Sequence, residues 1–193
     1  MDNFNKSRSM HFICPACAAG LLDNSLRKLA HNPQKILKPY IRAGMTVLDV
    51  GCGSGFFSRE IAKMLNGSGK VIAADVQEKM LDKVRRKIKG TNLEQTVELH
   101  KCGFESLGIA GQADFVLAFW VVHEMRNQEN FFKELSSIPK PGGLVFIAEP
   151  KIHVSKKEFG RMIDKIKESG FKIVESPKVL FSRSVVLSMG RPH

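Results

Sequence analysis

Val47-Leu48-Asp49-Val50-Gly51-Cys52-Gly53-Ser54-Gly55-Phe56 decides how this chain reads. An apolar run with the pattern of a buried strand enters three glycines at alternate positions, then Phe56–Leu65, which is apolar at helical spacing. Glycine lets the backbone turn sharply and lets a ligand approach it with no side chain in the way. The helix start that follows offers backbone N–H groups to an anionic ligand group. Spacing then discriminates among Gly-rich loops. The dinucleotide fingerprint has glycine at its first, third and sixth positions, and the sixth here is Phe56. A phosphate-binding P-loop needs Gly-Lys-Ser/Thr, and this loop has no lysine.

Outward from the loop, apolar runs recur at Met45–Val50, Val71–Asp75, Thr96–His100, Phe115–Phe119 and Leu144–Ala148. Between them lie the amphipathic stretches Phe56–Leu65, Glu78–Lys89 and Asn127–Ile138. In Glu78–Lys89, Leu81, Val84 and Ile88 form one face while Lys79, Lys83, Arg86 and Lys87 face water. This alternation is the signature of a parallel sheet covered by helices. A further helix is expected near Ser155–Ser169, with Ser155 as N-cap and Gly170 as its stop. Two strands follow, Phe171–Glu175 and Val179–Ser188, separated only by Ser176-Pro177-Lys178. Three residues are too few for a parallel crossover, so the last strand must run antiparallel to its predecessor.

Residues 1–43 differ in character. Ala18, Leu21, Leu22, Leu26 and Leu29 suggest a helix stopping at His31-Asn32-Pro33, where a short second helix starts with Asn32 as cap and Pro33 in the first turn. The expected organisation is a helical appendage over residues 1–32, packed on a single domain over residues 33–193.

The chain has 193 residues, 43% hydrophobic and 25% charged, which suffices to bury a core and excludes disorder as the main state. Apolar runs such as Phe115 to Val122 fall far short of the roughly 20 residues a bilayer span needs. Lys6 and Arg8 precede no apolar stretch with a small-residue cleavage site, so no signal peptide is expected. Four cysteines in a chain this long make no disulfide framework, and a cytoplasmic setting is expected. The net charge of +11 is uneven: +5 over residues 1–43, zero over 44–150 and +6 over 151–193. Such flanks serve RNA, anionic lipid or an anionic metabolite, or solubility alone.

Asp49-Val50-Gly51-Cys52-Gly53-Ser54-Gly55 resembles the first motif of class I S-adenosylmethionine-dependent methyltransferases. The resemblance runs from about residue 33 to residue 188. It takes in Asp75 closing Ile72-Ala73-Ala74-Asp75, Ala113-Asp114-Phe115-Val116-Leu117 opening the fourth strand, Pro141-Gly142-Gly143 before the fifth, and the reversed final strand. It implies a Rossmann-like, doubly wound, seven-stranded α/β sheet with the last strand antiparallel, and S-adenosyl-L-methionine as cofactor.

By the same resemblance Gly51, Cys52, Gly53 and Gly55 lie under the methionine part of the cofactor, and Asp49 attracts its ammonium. Asp75 meets both ribose hydroxyls, and Val76 is counted with it among the cofactor-binding residues; Asp75 stands 20 residues beyond Gly55, as an acid does in nucleotide sites generally. The plainer alternatives are a loop-capping carboxylate at Asp49 and a helix cap at Asp75. Relatives place an acid after the third strand to meet adenine, where this chain has Gly103; Cys102, Phe104 or backbone groups then take that contact.

After the fourth strand the chain reads Phe119-Trp120-Val121-Val122-His123-Glu124-Met125, similar to the region bordering the methyl donor in small-molecule methyltransferases. Phe119 or Trp120 is a candidate to face the sulfonium; the plainer alternative is that they fill the core. His123 is the candidate catalytic base, with a pKa suited to work near neutrality; its alternative is a helix-capping arrangement with Glu124. The Asn/Asp-Pro-Pro-aromatic signature of exocyclic-amine methyltransferases is absent here. Cys14-Pro15-Ala16-Cys17 has half a zinc site's spacing and no second pair, so no metal is expected. His11, Phe12, Tyr40 and the first helix are candidates to line the acceptor site as a lid. The expectation is methyl transfer to an unidentified small acceptor, anionic or membrane-associated if the charged flanks serve more than solubility, with RNA or a transfer-inactive cofactor-binding protein as alternatives.

Overall fold

The computed structural model describes residues 30–190. The expected helix through Ala18–Leu29, the Cys14/Cys17 pair, His11 and Phe12 lie outside the described residues. The elements are α1 (Pro33–Leu37), β1 (Thr46–Val50), α2 (Phe56–Leu65), β2 (Lys70–Asp75), α3 (Glu78–Ile88), β3 (Val97–Lys101), β4 (Ala113–Phe119), a 3₁₀ turn (Val122–Glu124), α4 (Gln128–Leu135), β5 (Pro139–Pro150), α5 (Lys156–Glu168), β6 (Phe171–Glu175) and β7 (Ser182–Met189).

The strands form one seven-stranded sheet in the order β3-β2-β1-β4-β5-β7-β6. β1 to β5 pair in parallel, and β7 is antiparallel to both β5 and β6, as the short link before it requires. Alternate residues of the central strands enter separate cores on the two faces. Val47, Phe115, Leu117 and Phe146 pack with α2 and α3, while Leu48, Val50, Val116, Val145 and Ile147 pack with α4 and α5. Burial on both faces is why these strands read as continuous apolar runs.

The caps follow the sequence. Asn32 accepts from the Lys35 N–H at 3.2 Å with Pro33 in the first turn of α1. Ser155 and Glu158 close a reciprocal capping box on α5. Three boundaries differ from expectation by three residues or more. β5 begins at Pro139 because Pro139 still pairs with Ala113, ahead of a register shift between Ala113 and Phe115. α4 ends at Leu135, where the Ser136 and Ser137 hydroxyls bond back to the carbonyls of Lys133 and Glu134. β7 begins at Ser182 because Phe181 is left-handed, with φ of 57°.

Tyr40 does not border the acceptor site. Its ring stacks on Phe115 at 5.7 Å and its hydroxyl donates to Glu175 at 2.7 Å, so the core takes it up.

Candidate active site

Strand order reverses at β1, which pairs with β2 on one side and β4 on the other. In an open α/β sheet this switch point leaves a crevice at the carboxyl ends of the strands. Here it is a cavity of about 710 Å³, the size of a cofactor site. Its wall comes from the ends of β1 to β5. Asp49, Gly51, Cys52, Gly53, Asp75, Val76, Cys102, Gly103, Phe104, Phe119 and His123 all line it.

Gly55, the remaining candidate, does not. It is the left-handed N-cap of α2, with φ of 80°, and a Cβ there would meet Val84 Cγ2 of α3 at 3.0 Å. Gly55 therefore serves close helix packing, and its place in the motif reflects turn geometry. Gly51 has φ of 67°, and a Cβ on it would lie 2.4 Å from Val121 Cγ2, so the loop and the segment after β4 close on one another. At Gly53 a Cβ would meet nothing within 4 Å, which leaves the backbone open to a ligand.

Asp49 is 2% exposed and accepts from the Ser58 hydroxyl at 2.5 Å. Asp75 closes β2, and its two carboxylate oxygens accept from the Gly53 N–H at 2.9 Å and the Gln77 N–H at 2.8 Å. A carboxylate has about four acceptor positions, so Asp75 keeps capacity for two hydroxyls. Burial pushes its pKa up, beyond what the Gln77 and Gly53 N–H groups and Lys101 offset. Burial also pushes the Cys102 thiol up to about 11, with the charges of Asp75 and Glu134 adding. Cys52 rises too, through burial and then Asp49 and Asp75. Both are neutral wall groups rather than nucleophiles. Glu134 ties the segment after β3 by accepting from Ser106 Oγ at 2.6 Å and the Leu107 N–H at 2.7 Å. On that segment Phe104 is exposed beneath Arg126, whose guanidinium carbon lies 5.2 Å from the ring centre.

The far wall holds a group that the sequence reading missed. Glu149, at the end of β5, has no exposure. It accepts from the Val122 N–H at 2.9 Å, the His123 N–H at 3.2 Å and His123 Nδ1 at 2.5 Å. With Nδ1–H given to a carboxylate, the neutral ring presents Nε2 as its basic atom. Burial lowers the His123 pKa, but the hydrogen bond and charge of Glu149, then the charge of Glu124, outweigh it and raise the pKa above its ordinary value. The His153 ring lies parallel to that of His123, 5.7 Å away. A signal for Glu149 was present: an acid closing an apolar strand run, as Asp75 closes β2.

Trp120 has φ of 62°, unfavourable for a bulky residue. Three contacts hold it: its N–H donates to Ala148 O at 2.7 Å, Nε1 donates to Ser182 Oγ at 2.9 Å, and the His31 ring meets it edge-on at 4.8 Å. Phe119 packs on Phe57 at 4.5 Å and is 5% exposed. Five carboxylates (Asp49, Asp75, Glu105, Glu124 and Glu134) line the cavity against one guanidinium, Arg126, among the described residues.

A glycine loop between β1 and α2, an acid closing β2 and a histidine after β4 thus frame one cavity. Residues 47–143 match the model of the methyltransferase domain family, and the chain belongs to that family. Its fold is that of a S-adenosylmethionine-dependent methyltransferase from Aquifex aeolicus, with a TM-score of 0.78 and 28% identity, covering 90% of this chain and 97% of that one. A ubiquinone biosynthesis O-methyltransferase of Sinorhizobium fredii is 29% identical over 148 residues, 76% of this chain and 56% of that protein. A demethylmenaquinone methyltransferase of Lactobacillus johnsonii is 33% identical over 110 residues, 56% of this chain and 45% of that protein. The chain thus spans about half the length of the curated relatives it matches.

Proposed function

We propose that the chain is an enzyme that binds S-adenosyl-L-methionine in this cavity and methylates a protic atom of a small acceptor, His123 serving as base. The reading rests on one convergence: the Asp75 carboxylate and the His123–Glu149 pair line or flank the same cavity, on opposite sides of the glycine loop.

The residues fit this cofactor. The open space at Gly53 admits a ligand against the backbone, and Asp75 retains acceptor capacity for ribose hydroxyls. Asp49 supplies a buried negative charge toward an ammonium. The carboxylate excess of the wall suits a ligand of net positive charge and opposes an anion inside the cavity. Held against the Gly53 backbone, Asp49 and Asp75, S-adenosyl-L-methionine would supply an electrophilic methyl group on a sulfonium whose sulfur can leave with the bonding pair. His123 Nε2 takes the proton that the acceptor loses. Glu149 fixes the ring and stabilises the imidazolium that results. Phe119, Phe57 and Trp120 make the inner wall apolar and exclude water.

Titration calorimetry with S-adenosylhomocysteine and with NAD tests the cofactor, and transfer of radiolabelled methyl into a metabolite pool tests the reaction. Tight binding of S-adenosylhomocysteine is expected. Binding of NAD alone, or unchanged turnover of His123→Ala at saturating cofactor, would overturn the reading.

A further inference from the structure

Three large apolar side chains stand exposed together beside the mouth of the cavity. Ile152 is 86% exposed, Leu180 55% and Phe181 61%. They belong to two segments at the carboxyl edge of the sheet, the turn after β5 and the loop entering β7. The Lys151 N–H donates to Phe181 O at 2.9 Å, and Pro150 pairs with Ser182, so the segments touch. Ile152 is also part of the cavity lining.

Phe181 makes this tip more than scattered surface. Its φ of 57° lies in the left-handed region, where a bulky residue is strained. An asparagine or glycine would take that conformation at little cost. The strain gains no burial here, because the ring projects into solvent. Strained backbone concentrates at ligand clamps and binding sites.

Charge identifies what the tip meets. Residues 150–158 and 176–183 carry Lys151, Lys156, Lys157, Lys178 and Arg183 against one carboxylate, Glu158. That carboxylate is engaged in the Ser155 capping box, and the four lysines are exposed. The cavity wall, by contrast, carries an excess of carboxylates. No lysine or arginine of the C-terminal segment lines the cavity, and Lys151 and Lys178 stand within two residues of Ile152 and Leu180 in the chain.

We propose that Ile152, Leu180 and Phe181 dock the chain on an anionic lipid surface. The apolar tip enters the headgroup boundary while Lys151, Lys156, Lys157 and Lys178 meet anionic headgroups. The cavity mouth then faces a membrane-borne acceptor. The docking stands by itself; only its link to the acceptor rests on the methyl-transfer reading.

Cosedimentation of the full chain with vesicles tests this. One set is pure phosphatidylcholine and the other includes a minority of phosphatidylglycerol. Binding is expected to the second set only, and to fall with added salt. Leu180→Ser/Phe181→Asn should reduce it by at least about tenfold, and Lys178→Gln by about fivefold. S-adenosylhomocysteine affinity, measured on the same variants, should not change. Equal binding by the double variant, or no preference for anionic vesicles, would overturn the proposal. So would a concentration-dependent dimer that the double variant abolishes, which would make the patch a contact between copies. Vesicle binding without S-adenosylhomocysteine binding would leave the docking intact and remove the methyl-transfer reading.

Discussion

Glu149 at the end of β5 holds His123 by both its ring Nδ1 and its backbone N–H, across 26 residues of sequence. The same carboxylate takes the Val122 N–H. One buried acid thus fixes the turn after β4, the tautomer of the candidate base and the charge beside it.

Replacing Glu149 by Gln removes the charge that raises the His123 pKa. The base becomes weaker, so the ascending limb of kcat/KM against pH should move to lower pH. General-base groups contribute about 10²–10⁴ in rate, and loss of orientation should lower kcat by about tenfold or more. S-adenosylhomocysteine affinity should hold. A pH profile of kcat/KM identical to that of the wild type would remove Glu149 from this role.

The same pair links stability to pH. A histidine whose folded pKa lies above its unfolded value of 6.5 stabilises the fold fully below that value, and the contribution is lost as pH rises through the folded pKa. Urea unfolding should therefore show stability declining with pH above 6.5, by a component that His123→Asn abolishes. Parallel curves for the two proteins across that window would contradict the coupling.

Gly51→Ala places a methyl group 2.4 Å from Val121 Cγ2 at a φ of 67°. Overpacking costs about 1–3 kcal/mol and the left-handed backbone about 1–2 kcal/mol. Pairing it with Val121→Ala relieves the Cγ2 clash and leaves the Val121 Cβ contact at 2.8 Å and the backbone strain. Chemical denaturation should show the double variant less destabilised than the sum of its parts; simple additivity would mean the loop does not close on Val121.

Asp75→Asn keeps one acceptor for the Gly53 or Gln77 N–H but loses the charge offered to the ribose. Hydrogen bonds to a charged group contribute about 1.5–3 kcal/mol, so calorimetry should find S-adenosylhomocysteine bound about 10- to 100-fold more weakly. Undiminished affinity would place the ribose elsewhere.

Much of the site was legible because its signals are local. Asp75 closes an apolar run, Gly51 and Gly53 follow a strand, and Asn32 and Ser155 precede their helices, each within a few residues of what it serves. Gly55 shows where local reading fails, because its neighbour Val84 lies on another helix and no spacing rule separates packing from ligand contact. Tyr40 fails similarly, drawn onto Phe115 and Glu175 from elements far along the chain. Glu149 carried the same strand-end signal as Asp75, but its partner sits at the end of a neighbouring strand.

The sequence alone determined the strand and helix order, the reversed last strand, the glycine loop and the charge of the flanks. Each follows from periodicity, chain length between elements or composition. Tertiary structure alone decided that Glu149 reaches His123, that Gly55 faces a helix, that carboxylates gather in the cavity wall, and that the segments carrying Ile152 and Phe181 meet at one tip. These relationships join residues distant in sequence, and parallel pairing of β1 to β5 brings strand ends to one edge whatever their separation along the chain.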